Sequence, residues 1–385
     1  MKKKIKKVFM ICIALILTIV SCIAFYCGYV IISYSRIGDV ELQIDNNATY
    51  NQVLLNTKYS ATTYNIGFGA YSQDYTFFLD TGYDINGNET CGHYSKAKSK
   101  EEVLFNTNGS INTIENTNAD FILLQEVDIK STRSFKVNQN EMFKKQLLEY
   151  DNVFAYNFDS AFLPYPLYDM HGKSKAGIST FSRYKINYAK RVEYTISNSL
   201  SKLFDLDRCF SYSKISVENG KTLYIVNSHM SAYDKGGVIR ETQVKELNEF
   251  LKKCQENGDY VIVGGDFNHD LLTNNPDFNY NDTNKPFNNV LKNPDWVASY
   301  FDKNGNSPLI EGYKVVSSDN VATCRNNDII WNPSLTYKCV VDGFIVSNNI
   351  NIIEHYNIET KNGNLSLDGF AYSDHQPAYI SFSLI

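Results

Sequence analysis

Short runs of β-branched and aromatic residues, each ending in a small polar cluster, set the pattern of most of this chain. "FILL" (121–124), "LYIV" (223–226), "VIV" (261–263) and "YISFSLI" (379–385) are apolar without alternation, which predicts strands covered on both faces. Helical spacing appears instead in "NEMFKKQLLEY" (140–150) and in "ETQVKELNEFLKKC" (241–254), where Val244, Leu247 and Leu251 fall on one face. Two polar stretches, around 80–100 and 272–288, read as long loops, and no internal repeat is visible. Strands mixed with helices predict an α+β domain rather than a bundle or a repeat array.

One run is of a different kind. From Val8 to Tyr34 no charge interrupts the chain, and Lys2, Lys3, Lys4, Lys6 and Lys7 precede it. A helix needs roughly 20 apolar residues to cross a bilayer, and lysines mark the cytoplasmic side. The expected organisation is therefore residues 1–36 as cytoplasmic lysines and a single-pass anchor, 37–58 as a juxtamembrane linker, and 59–385 as an extracellular catalytic domain. The competing reading is cleavage near Cys22, where "IVSC" resembles a lipoprotein site, giving a secreted or lipid-anchored product.

Composition narrows the function. The 385 residues are 43% apolar, ample for a packed core, and the formal net charge of −5 becomes −10 once the five N-terminal lysines are set aside. That balance excludes a generally basic surface for nucleic acid, though not a local groove. Of 8 cysteines, Cys12, Cys22 and Cys27 lie in the apolar run, and the rest show no C-x-x-C spacing. A zinc site is not expected, and Cys324 and Cys339 are either a bridged pair or buried small residues.

The candidate chemistry sits where the strands stop. "TTYNIGFG" presents Asn65, "FILLQEVD" Glu126, "YIVNSHMSAYD" His229, and "VIVGGDFNHD" Asp266, Asn268 and His269. "KCVVDGFIVS" carries Asp342, and "AYSDHQP" carries Asp374 and His375. Each cluster alone is as readily a turn, since Gly, Asp and Asn are turn residues. Together they are hard oxygen donors and imidazoles, the set that Mg²⁺ or Mn²⁺ and phosphate-ester hydrolysis require.

On these motifs, in this order, the chain from about residue 60 to its end resembles the endonuclease/exonuclease/phosphatase (DNase I-like) superfamily, which includes nucleases, bacterial sphingomyelinases and inositol-phosphate phosphatases. The resemblance implies a four-layered α/β/β/α sandwich, here preceded by one N-terminal transmembrane helix. It implies that Asn65, Glu126 and Asp374 hold Mg²⁺ or Mn²⁺, that Asp266 orients or deprotonates water, and that Asn268 holds the scissile phosphate. Asp342 and His375 match the family's carboxylate–histidine pair, and His229 the histidine that stabilises the transition state or protonates the leaving oxygen. Lys175 in "KSKAGISTFSRY" is either a phosphate contact or a solvated lysine, and Arg208 in "DLDRCF" either a phosphate contact or a partner of Asp205 or Asp207. His93, His171, His269 and His355 receive no role. The span from Asn65 to Glu126 is longer than is usual for the family.

The expected activity is metal-dependent hydrolysis of a phosphodiester in nucleic acid or a phospholipid headgroup. The alternatives are a phosphomonoesterase of the same fold and a non-catalytic binding ectodomain. The expected partners are the phosphate-ester substrate and the membrane, with the protein a monomer.

Overall fold

The computed structural model describes residues 2–203, 205–233, 235–272, 294, 296–302, 304–363 and 367–385. Beyond Leu272, the polar stretch expected as the loop 272–288 lies outside the described residues. The other expected loop, around 80–100, carries a two-stranded ribbon pairing Thr81–Tyr83 with Glu89–Cys91.

Fourteen strands build two seven-stranded sheets. In chain order they are β1 (Val40–Glu41), β2 (Ile44–Asp45), β3 (Tyr59–Asn65), β4 (Phe121–Asp128), β5 (Asp151–Asp159), β6 (Lys175–Ser182) and β7 (Ile186–Glu193). The second half supplies β8 (Cys209–Ser216), β9 (Thr222–His229), β10 (Tyr260–Asp266), β11 (Tyr313–Val316), β12 (Asp342–Ser347), β13 (Ile350–Asn357) and β14 (Ala378–Leu384). The first sheet runs β1-β7-β8-β9-β10-β12-β11 and the second β13-β14-β3-β4-β6-β5-β2. Within the two sheets, among the described residues, only β9 with β10 and β3 with β4 are parallel, and each of these pairs is joined across a helix.

The side chains of these strands alternate between two cores, which is why the runs are apolar throughout. Ala61, Phe121 and Leu123 of one sheet meet Ile225, Ile262 and Phe344 of the other in the core between the sheets. Their neighbours Val261 and Val263 point the opposite way, onto Val244, Leu247 and Leu251 of α4 (Val238–Glu256). On the far side Ile122 and Leu124 pack against Ile111 and Ile114 of α2 (Lys100–Thr117) and Phe143 of α3 (Gln139–Gln146). The result is the expected α/β/β/α sandwich. Ser99 caps α2 by accepting from the Glu102 amide, and Asn118 ends it in the left-handed region at φ 48°.

The N-terminal apolar run forms α1 (Lys2–Ser33), long and apolar enough to cross a membrane. The following stretch, 37–58, is more than a tether. Val40–Glu41 pairs with Lys190 and Arg191 on the edge of one sheet, and Ile44–Asp45 with Asn152 and Val153 on the edge of the other. Strands of two residues leave no periodicity to read, so their pairing shows only in three dimensions.

Candidate active site

Strand direction places the chemistry. The C-terminal ends of β3, β4, β9 and β10 share one edge of the sandwich with the starts of the antiparallel strands β12 and β14. Across that edge His229 stands opposite Asp266, and Asp266 opposite Asp342. Glu126 sits where the pairing of β4 with β6 slips between Leu124 and Val127, at φ 54°. A bulge of this kind re-aims a side chain, here into the cleft. Asn268 turns at φ 50°, its amide N–H donating to Asp266 Oδ1 over 2.9 Å and its Nδ2 to the Met230 carbonyl over 2.9 Å.

One oxygen is the hub. Asp266 Oδ2 accepts from Asn65 Nδ2 at 3.0 Å and lies 3.6 Å from His229 Nε2 and 3.7 Å from His375 Nε2. Asn65 Nδ2 also reaches Glu126 Oε1 at 3.3 Å. His375 Nδ1 is 2.8 Å from Asp342 Oδ2, and Asp374 Oδ2 accepts from Asn327 Nδ2 at 2.9 Å. At Gly67, φ 51°, an added Cβ would lie 2.9 Å from Asp374 Oδ1, so glycine lets the backbone approach that carboxylate.

The two histidines are pushed in opposite directions. Burial lowers both, and for His229 nothing offsets it: Arg208 and His375 push the same way, so the ring is neutral. For His375 the Asp342 carboxylate, with Cys324 and Asp266, outweighs burial and holds the ring well above its ordinary value. Burial pushes Asp342 itself up to about 6, with His375 opposing, so it remains an anion at neutral pH.

The carboxylates fit a hard divalent cation, whereas Asn65 turns its Nδ2 toward Glu126 and Asp266 while its Oδ1 accepts from the Gly67 amide at 3.0 Å. Glu126 and Asp374 line one cleft with Asp266, and burial followed by Asp374 raises the Glu126 carboxyl despite the opposing pull of Arg133. The carboxylate oxygens of Glu126 and Asp374 are the hard donors that match Mg²⁺ or Mn²⁺. Among the described residues Asp266, Asp342 and His375 form a group whose ligand atoms lie within 4.8 Å of one another. Within it the short bond to Asp342 engages His375 Nδ1 and leaves Nε2 as the ring nitrogen facing Asp266.

The cleft, about 960 Å³, collects Glu126, Asp266, Asn268, His229, Asp374, His375 and Arg208. Arg208 lines the cleft, donates to the Met230 carbonyl at 2.9 Å, and lies 3.7 Å from Asp205, one of the two ion-pair partners expected of it. Lys175 does not join them. Its ammonium stands 4.8 Å from the Tyr156 ring centroid and 3.8 Å from Asp159, outside the cleft lining, because its position on β6 aims it along the outer surface. His269 is packed, with Nδ1 2.9 Å from the Phe267 carbonyl and its pKa lowered to about 3 by burial.

Sequence reasoning missed several cleft residues. Asp80 accepts from Tyr233 Oη at 2.7 Å and from Asn327 Nδ2 at 3.0 Å, and burial pushes its carboxyl up to about 6. Arg133 is clasped by Asp128 at 2.9 Å, and its guanidinium lies 3.9 Å from the Phe68 ring centroid. Arg325 is buried, with Nε and Nη1 unpartnered. His171, given no role, also lines the cleft and is 2.7 Å from the Ser95 carbonyl. The only advance signal was the unusual length of the segment between Asn65 and Glu126, which contains Asp80.

Comparison with known proteins gives the same architecture. A family model described as the endonuclease/exonuclease/phosphatase family matches residues 103–375. The crystal structure of D. rerio TDP2 complexed with single-strand DNA product aligns with TM-score 0.52 and 13% identity, over 85% of this chain and 100% of that one. Truncated Caenorhabditis elegans TDP2 aligns with TM-score 0.50 and 14% identity, over 86% of this chain and 98% of that one. At such identities the likeness is one of fold. No curated protein matches the sequence. The family model covers well over half of the chain, and the chain belongs to the endonuclease/exonuclease/phosphatase family.

Proposed function

We propose that this chain is a divalent-metal-dependent phosphoesterase, held in the membrane by α1 with its catalytic domain outside the cell. The observation that carries the reading is the placement of one Asp266 oxygen among Asn65, His229 and His375. Such an arrangement takes a proton from a water poised for attack, with donors ready for the oxygens around it. The lysines before Val8 favour the cytoplasmic side for the N-terminus and so the external side for the domain.

Glu126, Asp374 and Asn65 would hold Mg²⁺ or Mn²⁺. Such an ion supplies positive charge to the phosphoryl oxygens and makes water more acidic. Asp266 orients and deprotonates the attacking water. Asn268, its Nδ2 fixed on Met230, offers its remaining amide hydrogen to the phosphoryl group. His375, kept cationic by Asp342, places charge beside the reacting phosphorus and returns a proton to the leaving oxygen. His229, neutral, serves as a hydrogen-bonding partner. Arg208 and Arg325 line the same cleft with unpartnered Nε atoms and attract the anionic ester.

The test is hydrolysis of bis(p-nitrophenyl) phosphate by the purified full-length protein. Turnover with Mg²⁺ or Mn²⁺, lost with EDTA and restored by the ion, is expected. Turnover that EDTA leaves untouched, or none under any condition, would overturn the reading.

A further inference from the structure

The cleft is unlike a nucleic-acid groove in its walls. Its floor is polar, with Glu126, Asp266 and His375, but the walls above are Phe77, Phe78, Leu79, Leu163, Pro164 and Tyr165. Its cationic lining among the described residues is three arginines, Arg133, Arg208 and Arg325, with no lysine beside them, and Arg133 is already clasped by Asp128. A strand of nucleic acid is held mainly by rows of cations along its phosphates, whereas an amphiphile needs one polar end and an apolar body satisfied together.

The anchor helix reaches this same mouth. Counting from Val8 at 1.5 Å per residue, a hydrocarbon layer of roughly 30 Å is crossed in about 20 residues, which ends near Cys27. Tyr26 and Tyr29 then stand at headgroup level, where tyrosine is favoured. Both grip one rim residue: Tyr26 Oη donates to the Phe162 carbonyl at 2.9 Å, and the Phe162 amide donates to Tyr29 Oη at 3.2 Å. Tyr26 itself lines the cleft. The chain leaving the helix is fastened to the domain, since Arg36 contacts Asp207 at 2.6 Å and Glu193 at 3.1 Å and donates to the Tyr194 carbonyl.

The loop so placed is apolar and uncovered. Tyr165, Leu167 and Tyr168 are 67%, 76% and 64% exposed. Apolar side chains at that exposure, fixed beside the outer end of a membrane helix, have the lipid leaflet as their occupant.

We propose that the loop 162–170 dips into the outer leaflet and that the substrate is a phosphodiester carried by a membrane lipid. The lipid phosphate reaches the polar floor while its apolar part stays against the aromatic walls. The inference rests on the phosphoesterase reading and names its substrate class. In the step, a bond forms from the water oxygen to phosphorus and one ester P–O bond breaks. The water's proton ends on the departing alcohol, leaving a phosphate monoester, with no oxidant or other co-reactant.

The experiment uses the full chain in nanodiscs of phosphatidylcholine and phosphatidylglycerol with Mg²⁺, presenting the disc lipids, a single-stranded oligodeoxynucleotide and bis(p-nitrophenyl) phosphate in parallel. Phosphorus NMR is expected to show phosphate monoester accumulating from the disc lipids. Leu167→Asp, a change outside the cleft lining, should slow that reaction about tenfold or more by removing an apolar contact with the leaflet, yet leave the soluble ester's turnover unchanged. In Leu167→Trp, brominated lipid should quench the added fluorescence above that of the native Trp296 and Trp331. Cleavage of the soluble ester or the oligonucleotide with intact lipids would overturn the lipid assignment and leave the phosphoesterase reading standing. No cleavage of any of the three would overturn both. Added fluorescence that stays unquenched in Leu167→Trp, or a Leu167→Asp enzyme that cleaves lipid at the parental rate, would overturn the docking of the loop.

Discussion

Replacing Asp342 with asparagine tests how the site holds its charge. Asp342 Oδ2 and His375 Nδ1 are 2.8 Å apart, both side chains are buried, and Oδ1 has no hydrogen-bond partner among the described residues. Asp342→Asn keeps the volume and removes the charge. Breaking one side of a buried ion pair costs about 3–5 kcal/mol, because the other charge is left in a poor medium. If that cost falls on an imidazolium needed in the transition state, turnover drops by roughly two to four powers of ten, at 1.36 kcal/mol per tenfold. The pH profile supplies a second readout. The charged form of His375 exists below its raised pKa, so activity falls as pH rises through that value. Without Asp342 the pKa falls, and the alkaline limb should move to lower pH. The assay is bis(p-nitrophenyl) phosphate turnover against pH with saturating Mg²⁺, beside a denaturant curve showing that the variant folds. A folded variant within about threefold of wild type, or an unmoved alkaline limb, would refute the reasoning.

Three other outcomes follow from the same structure. Glu126→Gln removes a buried carboxylate from the donor set and should weaken Mn²⁺ binding about tenfold or more, read by electron paramagnetic resonance of free ion; unchanged affinity would exclude Glu126 as a ligand. Gly265→Ala would place a Cβ 1.9 Å from the Ser228 carbonyl oxygen between the parallel strands β9 and β10. It should cost about 1–3 kcal/mol in urea unfolding, and an unshifted midpoint would contradict that packing. Asp80 has its folded pKa raised to about 6 from 3.8, so its contribution is full below pH 3.8 and is lost as pH rises through 6. Asp80→Asn should flatten the fall in stability across that window, by about 3 kcal/mol at two pH units; a parent with no such fall would contradict the burial of that carboxyl.

The strands that carry the site were legible because each obeys a local rule. Val261 to Val263 are apolar on both faces and stop at glycines, and Asn65, Glu126, His229 and Asp266 each appear where such a run gives way. Their convergence was implied by order and is a matter of distance only in the fold: Asn65 and Asp266 are 201 residues apart in sequence and 3.0 Å apart in space. The remainder depends on contacts with no local mark. Asp80 meets Asn327 across 247 residues, and nothing in "FLDTGY" distinguishes its aspartate from a turn residue. Lys175 reads from sequence as either a phosphate contact or a solvated lysine, and only its place on β6 sets it against Tyr156 and Asp159. Edge strands of two residues, at Val40 and Ile44, lie below the length at which any period exists.

The central claim is that residues from six strands and their ends converge on one hydrolytic centre with Asp266 at its hub. Its most direct test compares wild type with Asp266→Asn in Mg²⁺-supported hydrolysis of bis(p-nitrophenyl) phosphate, both proteins shown to be folded. The account predicts steady turnover by the wild type and a loss of at least about 100-fold in the variant, the scale of a removed proton acceptor. Equal rates from the two proteins would contradict it.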